Sequence, residues 1–158
     1  MPIRTLKNYL DSHNIKYVTL VHSPAYTAQE IAQSAHVPGH EMAKTVILKL
    51  DDRLAMAVLS ADCSIDFELL GEITGAESIT LADEQEFMQK FPNCEVGAMP
   101  PFGTLYDMET YLADELTDAR EIVFNAGTHT ELIRMSYDDY VRLAKPRIIR
   151  FTCETLHA

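Results

Sequence analysis

Three short stretches of the chain carry residue types that can do chemistry. The first is Lys44-Thr45, with Met42-Ala43 before it and Val46-Ile47-Leu48 after it. An ammonium beside that much apolar surface must snorkel to water, find a counter-charge or meet an anionic ligand. The second is Gly97-Ala98-Met99-Pro100-Pro101-Phe102-Gly103. Glycines and consecutive prolines there fix a rigid turn whose backbone amides and carbonyls are held in place. Such a loop binds a small polar group well, because little ordering cost is left for the ligand to meet. The third is Asn125-Ala126-Gly127-Thr128-His129-Thr130. Its small residues let a ligand approach, and His129 can hydrogen-bond a substrate or carry a proton near neutral pH. Each stretch also has a plain structural reading: a snorkelling strand-end lysine, a stiff connector, and a loop histidine satisfied by its neighbours.

Several familiar chemistries are absent. No G-x-S-x-G elbow, no G-x-x-x-x-G-K-[ST] loop, no G-x-G-x-x-G turn and no H-E-x-x-H pair occurs. His36 and His40 are four apart, but Pro38-Gly39 between them keeps them off a common helix face, which argues against a metal site. No metal and no cofactor is expected. His13, His22 and His157 have only a structural reading.

The elements that must position these stretches can be predicted from hydrophobic period and punctuation. A helix over 3–13 carries Ile3, Leu6 and Leu10 on one face. Tyr17 to Val21 is β-rich, and Pro24 ends it. Thr27-Ala28-Gln29-Glu30 is a capping box that opens a second helix, broken at Pro38-Gly39. Thr45–Leu50 and Leu54–Leu59, joined at Asp51-Asp52, form a hairpin of largely buried strands. A helix over 65–73 stops near Gly75, a short strand covers Ser78–Leu81, and Asp83-Glu84-Gln85-Glu86 caps another helix start. Further strands are expected at 110–112, 122–124 and 130–135, the last with Leu132 and Ile133 on opposite faces. A last helix from Ser136 carries Tyr137, Tyr140, Val141 and Ala144 and stops at Pro146, and a final strand covers 148–151. Strands and helices alternate irregularly, so the expected fold is a single α+β domain over residues 1–158, with helices flanking a mixed, strongly curved, barrel-like sheet.

Composition limits the function classes. The chain has 158 residues, 47% hydrophobic and 23% charged, which suits one domain with a real core. No apolar run is long enough for a membrane span, and the start lacks an apolar leader. Three scattered cysteines, Cys63, Cys94 and Cys153, argue for reduced thiols and a cytoplasmic setting. The net charge is −11, and residues 51–133 hold 18 acidic against 3 basic side chains. A protein that grips long DNA by its phosphates would not be built this way. The two ends are mildly basic, with 5 basic and 3 acidic residues in each of 1–50 and 134–158.

With the three stretches in this order, the chain resembles the YbaK/EbsC family, which is related to the editing insertion domain of bacterial prolyl-tRNA synthetase. The resemblance runs from about residue 20 to residue 151 and rests on Ala43-Lys44-Thr45-Val46-Ile47, Gly97 to Gly103, and Asn125 to Ile133. It implies a compact α+β fold with a mixed barrel-like sheet. It also implies hydrolysis, in trans, of wrongly charged aminoacyl-tRNA. Transfer RNA for proline wrongly charged with alanine is the first expectation, with serine, cysteine and threonine open. The family lysine falls on Lys44, the family G-x-x-x-P loop on Gly97 and Pro101, and the histidine of the related domains on His129. Lys44 and His129 are then the catalytic candidates. Thr45, Gly97, Ala98, Met99, Pro100, Pro101, Asn125 and Gly127 are the substrate-binding candidates. Pro100 stands where many relatives carry Ser or Gly.

The chemistry suits the implied task. One methylene is worth only about 1–3 kcal/mol of discrimination, so a synthetase cannot reject a smaller amino acid by binding alone. The expected partner is the acceptor end of a mischarged tRNA, delivered by prolyl-tRNA synthetase or the elongation factor, or held by Arg142, Lys145, Arg147 and Arg150. Two rival readings keep the fold and change the function: a non-catalytic module that binds an aminoacyl-adenosine-like ligand or a synthetase, and a hydrolase of another small ester or thioester.

Overall fold

The computed structural model describes residues 2–21, 41–92 and 94–154. The predicted helix that opens at Thr27, with His22, His36 and His40, lies outside the described residues, as does His157.

Helix α1 (Pro2–Ser12) turns Leu6 and Leu10 inward, one helical turn apart and fully buried. Asn14, at φ 56°, swings the chain out of the helix into β1 (Tyr17–Val21). Asn tolerates that left-handed conformation better than most residues. The predicted hairpin is β2 (Ala43–Leu50) against β3 (Arg53–Ser60), with Leu50 opposite Arg53 across a two-residue turn. Asp51 sits in that turn at φ 53°, and its carboxylate accepts the amides of Glu77 and Ser78 at 3.1 and 3.0 Å. The turn thus also anchors the start of β5 (Ile79–Leu81), which pairs with β2.

A short strand, β4 (Cys63–Ile65), leads into α2 (Phe67–Thr74). Asp66 caps α2 through the Leu69 amide, and Gly75 ends it in the left-handed conformation that glycine adopts at least cost. The capping box at Asp83–Glu86 opens α3 (Glu84–Phe87), a single turn that tightens into a 3-10 turn at Met88–Lys90. After the proline loop come β6 (Glu109–Ala113), β7 (Glu121–Asn125) and β8 (Glu131–Ser136). Ser136 caps α4 (Tyr137–Ala144), and β9 (Arg147–Ile149) and β10 (Thr152–Glu154) close the described chain.

The strands divide over three sheets, and among the described residues none of these closes on itself. The five-stranded sheet has the order β5-β2-β3-β6-β9, with β6 parallel to both neighbours and the other pairs antiparallel. The three-stranded sheet β1-β8-β7 is antiparallel throughout, and β10 pairs with β4. The expected mixed sheet is present, and its curvature is met by two open sheets joined at one edge. That joint is a parallel bridge between Met42 and Val123, just before β2 begins.

The larger core lies between the two sheets, with Ile47, Met56 and Val58 facing Phe124, Ile133 and Met135, and with α1 and α4 at its ends. A second core covers the other face of the five-stranded sheet, where Leu48, Leu50, Ala57 and Leu59 meet Leu70, Tyr111 and Phe151. Both faces of β2 and β3 are therefore covered, which is why they read as near-continuous apolar runs. Leu132 and Ile133 point to opposite faces of β8, and both are fully buried.

Candidate functional site

The proline loop is pinned from three sides. The Gly103 amide donates to Thr110 Oγ1 at 3.1 Å, Tyr140 Oη donates to the Pro101 carbonyl at 2.7 Å, and the Phe102 amide folds back on the Pro100 carbonyl at 2.9 Å. Tyr140 is wholly enclosed, and burial pushes its phenol far above the ordinary value, so it stays a donor at every physiological pH. The Phe102 ring stands edge-on to Phe124 and Tyr140, at 5.5 and 5.2 Å between centroids. Ala98, Met99, Pro100 and Pro101 are buried, whereas Gly97 is exposed at φ 84°.

The loop between β7 and β8 joins it directly. The Glu95 amide donates to the Gly127 carbonyl at 2.8 Å, and the Gly127 amide donates to the Ala98 carbonyl at 2.9 Å. Gly127 makes this crossing at φ 100°, a region that side chains rarely enter. His129, 6% exposed, donates from Nε2 to the Val96 carbonyl at 2.6 Å. A carbonyl only accepts, so that nitrogen carries the proton. A side chain at Gly97 would start 3.4 Å from His129 Cε1. The structure thus brings together Gly97, Ala98, Gly127 and His129, and gives His129 the geometry of a brace on the loop.

Lys44 comes from the five-stranded sheet. Its side chain lies on the β2 face that carries Val46, Leu48 and Leu50, whereas Thr45 shares the opposite face with Ala43 and Ile47. These two sequence neighbours therefore do not present their side chains to one pocket. Lys44 lines a hollow of about 210 Å³ with Val46, Leu59, Ser64, Ile65, Phe67 and Leu81. Burial pulls its ammonium below the ordinary lysine range, against a weaker opposing pull from Cys63, Asp62 and Glu115.

The bridge between the sheets relates Lys44 to the second loop. Met42 and Val123 are parallel bridge partners, and the Val123 amide donates to the Glu41 carbonyl at 3.1 Å. Side chains of parallel partners point the same way, and the pleat repeats every two residues. Two steps along each strand lead to Lys44 and Asn125, which therefore emerge on the same side. Asn125 is 6% exposed, and its Oδ1 has no hydrogen-bond partner. Among the described residues, no group of three or more His, Cys, Asp or Glu side chains is placed to hold a metal ion.

Three supports of this site are not evident from the sequence. Thr110 and Tyr140 hold the proline loop from a distance of 7 and 39 residues, and the Met42–Val123 bridge is a matter of register. The only sequence signal is polarity in the wrong place: a threonine inside an apolar strand, and a tyrosine on the inward face of α4.

The aminoacyl-tRNA editing domain family matches residues 22–143. A multifunctional Ser/Thr-tRNA deacylase, ProXp-y, of Escherichia coli is 33% identical over 98 residues, which are 61% of this chain and 58% of that protein. The match to this relative thus spans less than two thirds of its length. The prolyl-tRNA editing protein ProX of Acetoanaerobium sticklandii is 24% identical over 142 residues, 86% of each chain. A solved structure described as a candidate trans-editing enzyme for prolyl tRNA synthetase superposes with a TM-score of 0.80 at 20% identity, over 96% of this chain and 97% of the other, and so shares the fold. Among the described residues, no helix is long and apolar enough to cross a membrane. The pinned glycine–proline loop, the braced partner loop and the desolvated strand lysine all lie within the matched span, and this chain belongs to the aminoacyl-tRNA editing domain family.

Proposed function

We propose that this protein is a trans-acting deacylase that clears a small, wrongly attached amino acid from tRNA in the cytoplasm. The observation that carries this reading is the two-loop cradle, in which Gly97 to Pro101 and Gly127 to His129 hold one another through the backbone and the His129 ring. Backbone groups of Gly97 to Pro101 are already fixed when substrate arrives, and Lys44 stands on the same side as Asn125 at the sheet junction. Preorganised dipoles act on a developing oxyanion without reorganising, and that is where most of their catalytic value lies.

In this reading the Lys44 ammonium holds the terminal phosphate or ribose of the acceptor end. The loop amides polarise the ester carbonyl, a water adds to the carbonyl carbon, and the bond to the ribose oxygen breaks. The products are the free amino acid and a tRNA whose hydroxyl is restored. An aminoacyl ester is already activated, so holding the water and the carbonyl in line supplies much of the rate. His129 serves as a positioning residue, because its proton is committed to the Val96 carbonyl. Alanine, serine and threonine are the candidate residues to be removed, the last two because ProXp-y is named for them.

A net charge of −11 leaves the tRNA body weakly held, with Arg142, Lys145, Arg147 and Arg150 the exposed cations toward the C-terminal end. Binding of the whole tRNA should therefore be weak and weaken further with salt. Transfer RNA for proline, charged in turn with alanine, serine, threonine, cysteine and proline, tests the reading in a deacylation time course with wild type and Lys44→Ala. Rapid loss of one small non-cognate residue, sparing proline and dependent on Lys44, is the expected result. Full activity in Lys44→Ala would overturn the assignment of the lysine, and no turnover of any substrate by folded protein would overturn the deacylase.

A further inference from the structure

Asn125 ends β7 at the point where the chain turns into the loop that braces Gly97 to Pro101. Its side chain is more than nine-tenths buried, and its amide oxygen meets no donor. Burying an acceptor without a donor destabilises a fold by about 1–3 kcal/mol, and nearly all buried polar groups avoid it. Alanine, leucine or serine at this position would avoid that cost. A lone acceptor at the edge of a binding cradle is explained most simply by a donor that comes with the ligand.

Resting on the deacylase reading, we propose that Asn125 Oδ1 receives the α-ammonium of the aminoacyl group. The strength of the bond favours an ammonium over a neutral donor. The free atom of the amide is its oxygen, which only accepts. A charged donor in an enclosed site gives a hydrogen bond roughly twice as strong as a neutral one. Lys44, two pleat steps from the same bridge, is left to hold the anionic end of the nucleotide. The site would then measure two points of one substrate, the amino group at β7 and the phosphate side at β2. It would accept a free aminoacyl ester and discriminate against one whose nitrogen is acylated or missing.

The test uses two tRNA substrates with the same side chain, one aminoacyl and one α-hydroxyacyl, each rate divided by its rate without protein. Wild type should accelerate the aminoacyl substrate more by a factor on the order of 10 to 100. Asn125→Ala should bring the two within about twofold by slowing the aminoacyl substrate alone, and Asn125→Asp should restore the preference. Asn125→Ala should also unfold no more easily than wild type, because it removes an unmet acceptor; a clear loss of stability would show a structural role and overturn the proposal. Binding of amide-linked aminoacyl-adenosine, with and without its α-amino group, gives a readout that needs no turnover. Equal affinities in wild type would overturn the proposal. Amino-dependent binding that Asn125→Ala abolishes, with no turnover of any tRNA, would sustain it and overturn the deacylase reading instead. A 2′-deoxy version of the probe should bind as well as the parent; loss of affinity there, with no dependence on the amino group, would assign Oδ1 to the ribose hydroxyl.

Discussion

The two halves of the candidate site are built in opposite ways. Around Gly97 to Gly103, the chain is closed down by hydrogen bonds with Thr110, Tyr140 and Gly127, and the six residues from Ala98 to Gly103 are buried. At Lys44, the backbone is an ordinary strand, and the side chain is half-buried among Val46, Leu59 and Ile65, held short of full hydration. The first region has met its ordering cost before any ligand arrives. The second holds an unmet electrostatic demand that an anion would relieve. A site assembled from one rigid part and one desolvated charge separates shape recognition from attraction, and substitutions should separate them too.

The largest expected effect lies in the rigid half. A methyl group on Gly103 would collide with the Met108 carbonyl, which is backbone, and with Thr110 Oγ1, which already accepts the Gly103 amide. Gly103→Ala should cost about 3 kcal/mol or more, read as a lower urea midpoint with an unchanged slope. Next comes Lys44→Met, which keeps the length and removes the charge. It should lower kcat/KM by about 10- to 100-fold, the worth of one charge-assisted contact. The same variant should be more stable at neutral pH by about 0.5 kcal/mol, or a Tm rise of about 1–2 °C. A loss of stability there would show that the ammonium is structurally satisfied, and the contrast between the two halves would fall.

Tyr140→Phe is a finer probe of the first half, because it keeps the ring stack with Phe102 and removes the donor to Pro101. It should cost about 1–2 kcal/mol and slow turnover without weakening nucleotide binding, measured by denaturation and by kcat against KM. The smallest effect is a pH trend in the second half. The folded-state pKa of Lys44 is lowered, so between it and the unfolded value of about 10.4 the unfolded chain binds more protons. The cost of burying the ammonium is therefore present at neutral pH and fades as pH rises through that window. The stability advantage of Lys44→Met should shrink in parallel, as unfolding at pH 7 and above pH 9 would show.

Much of the frame was legible in the residues. The cap at Asp83–Glu86, the αL glycine after α2, the Asp51-Asp52 turn and the hairpin all follow from local chemistry, and each stands where the punctuation puts it. Strands β4 and β10 were not legible: each is three residues long, and each is a strand by virtue of pairing with the other across most of the chain. The proline loop was visible as a rigid object, but its anchors were not, since Tyr140 lies 39 residues from Pro101. Thr45 and Lys44 read as one unit in sequence and are placed on opposite faces by the pleat. The unmet acceptor on Asn125 belongs to no motif, because burial and the want of a donor are properties of the folded chain alone.

The Met42–Val123 bridge gives the site a mechanical character. Lys44 is carried by one sheet and Asn125 by the other, and among the described residues the strands that bear them are joined at the Met42–Val123 bridge. Such a joint behaves like the pivot of a pair of callipers. A small change in the angle between the sheets hardly alters the contact at Met42 but opens or narrows the span at its tips. Residues packed between the sheets, such as Ile47 and Phe124, set that angle without touching anything bound. The gauge that measures a substrate would thus be adjusted from inside the core, where a change of one methyl group resets the jaws.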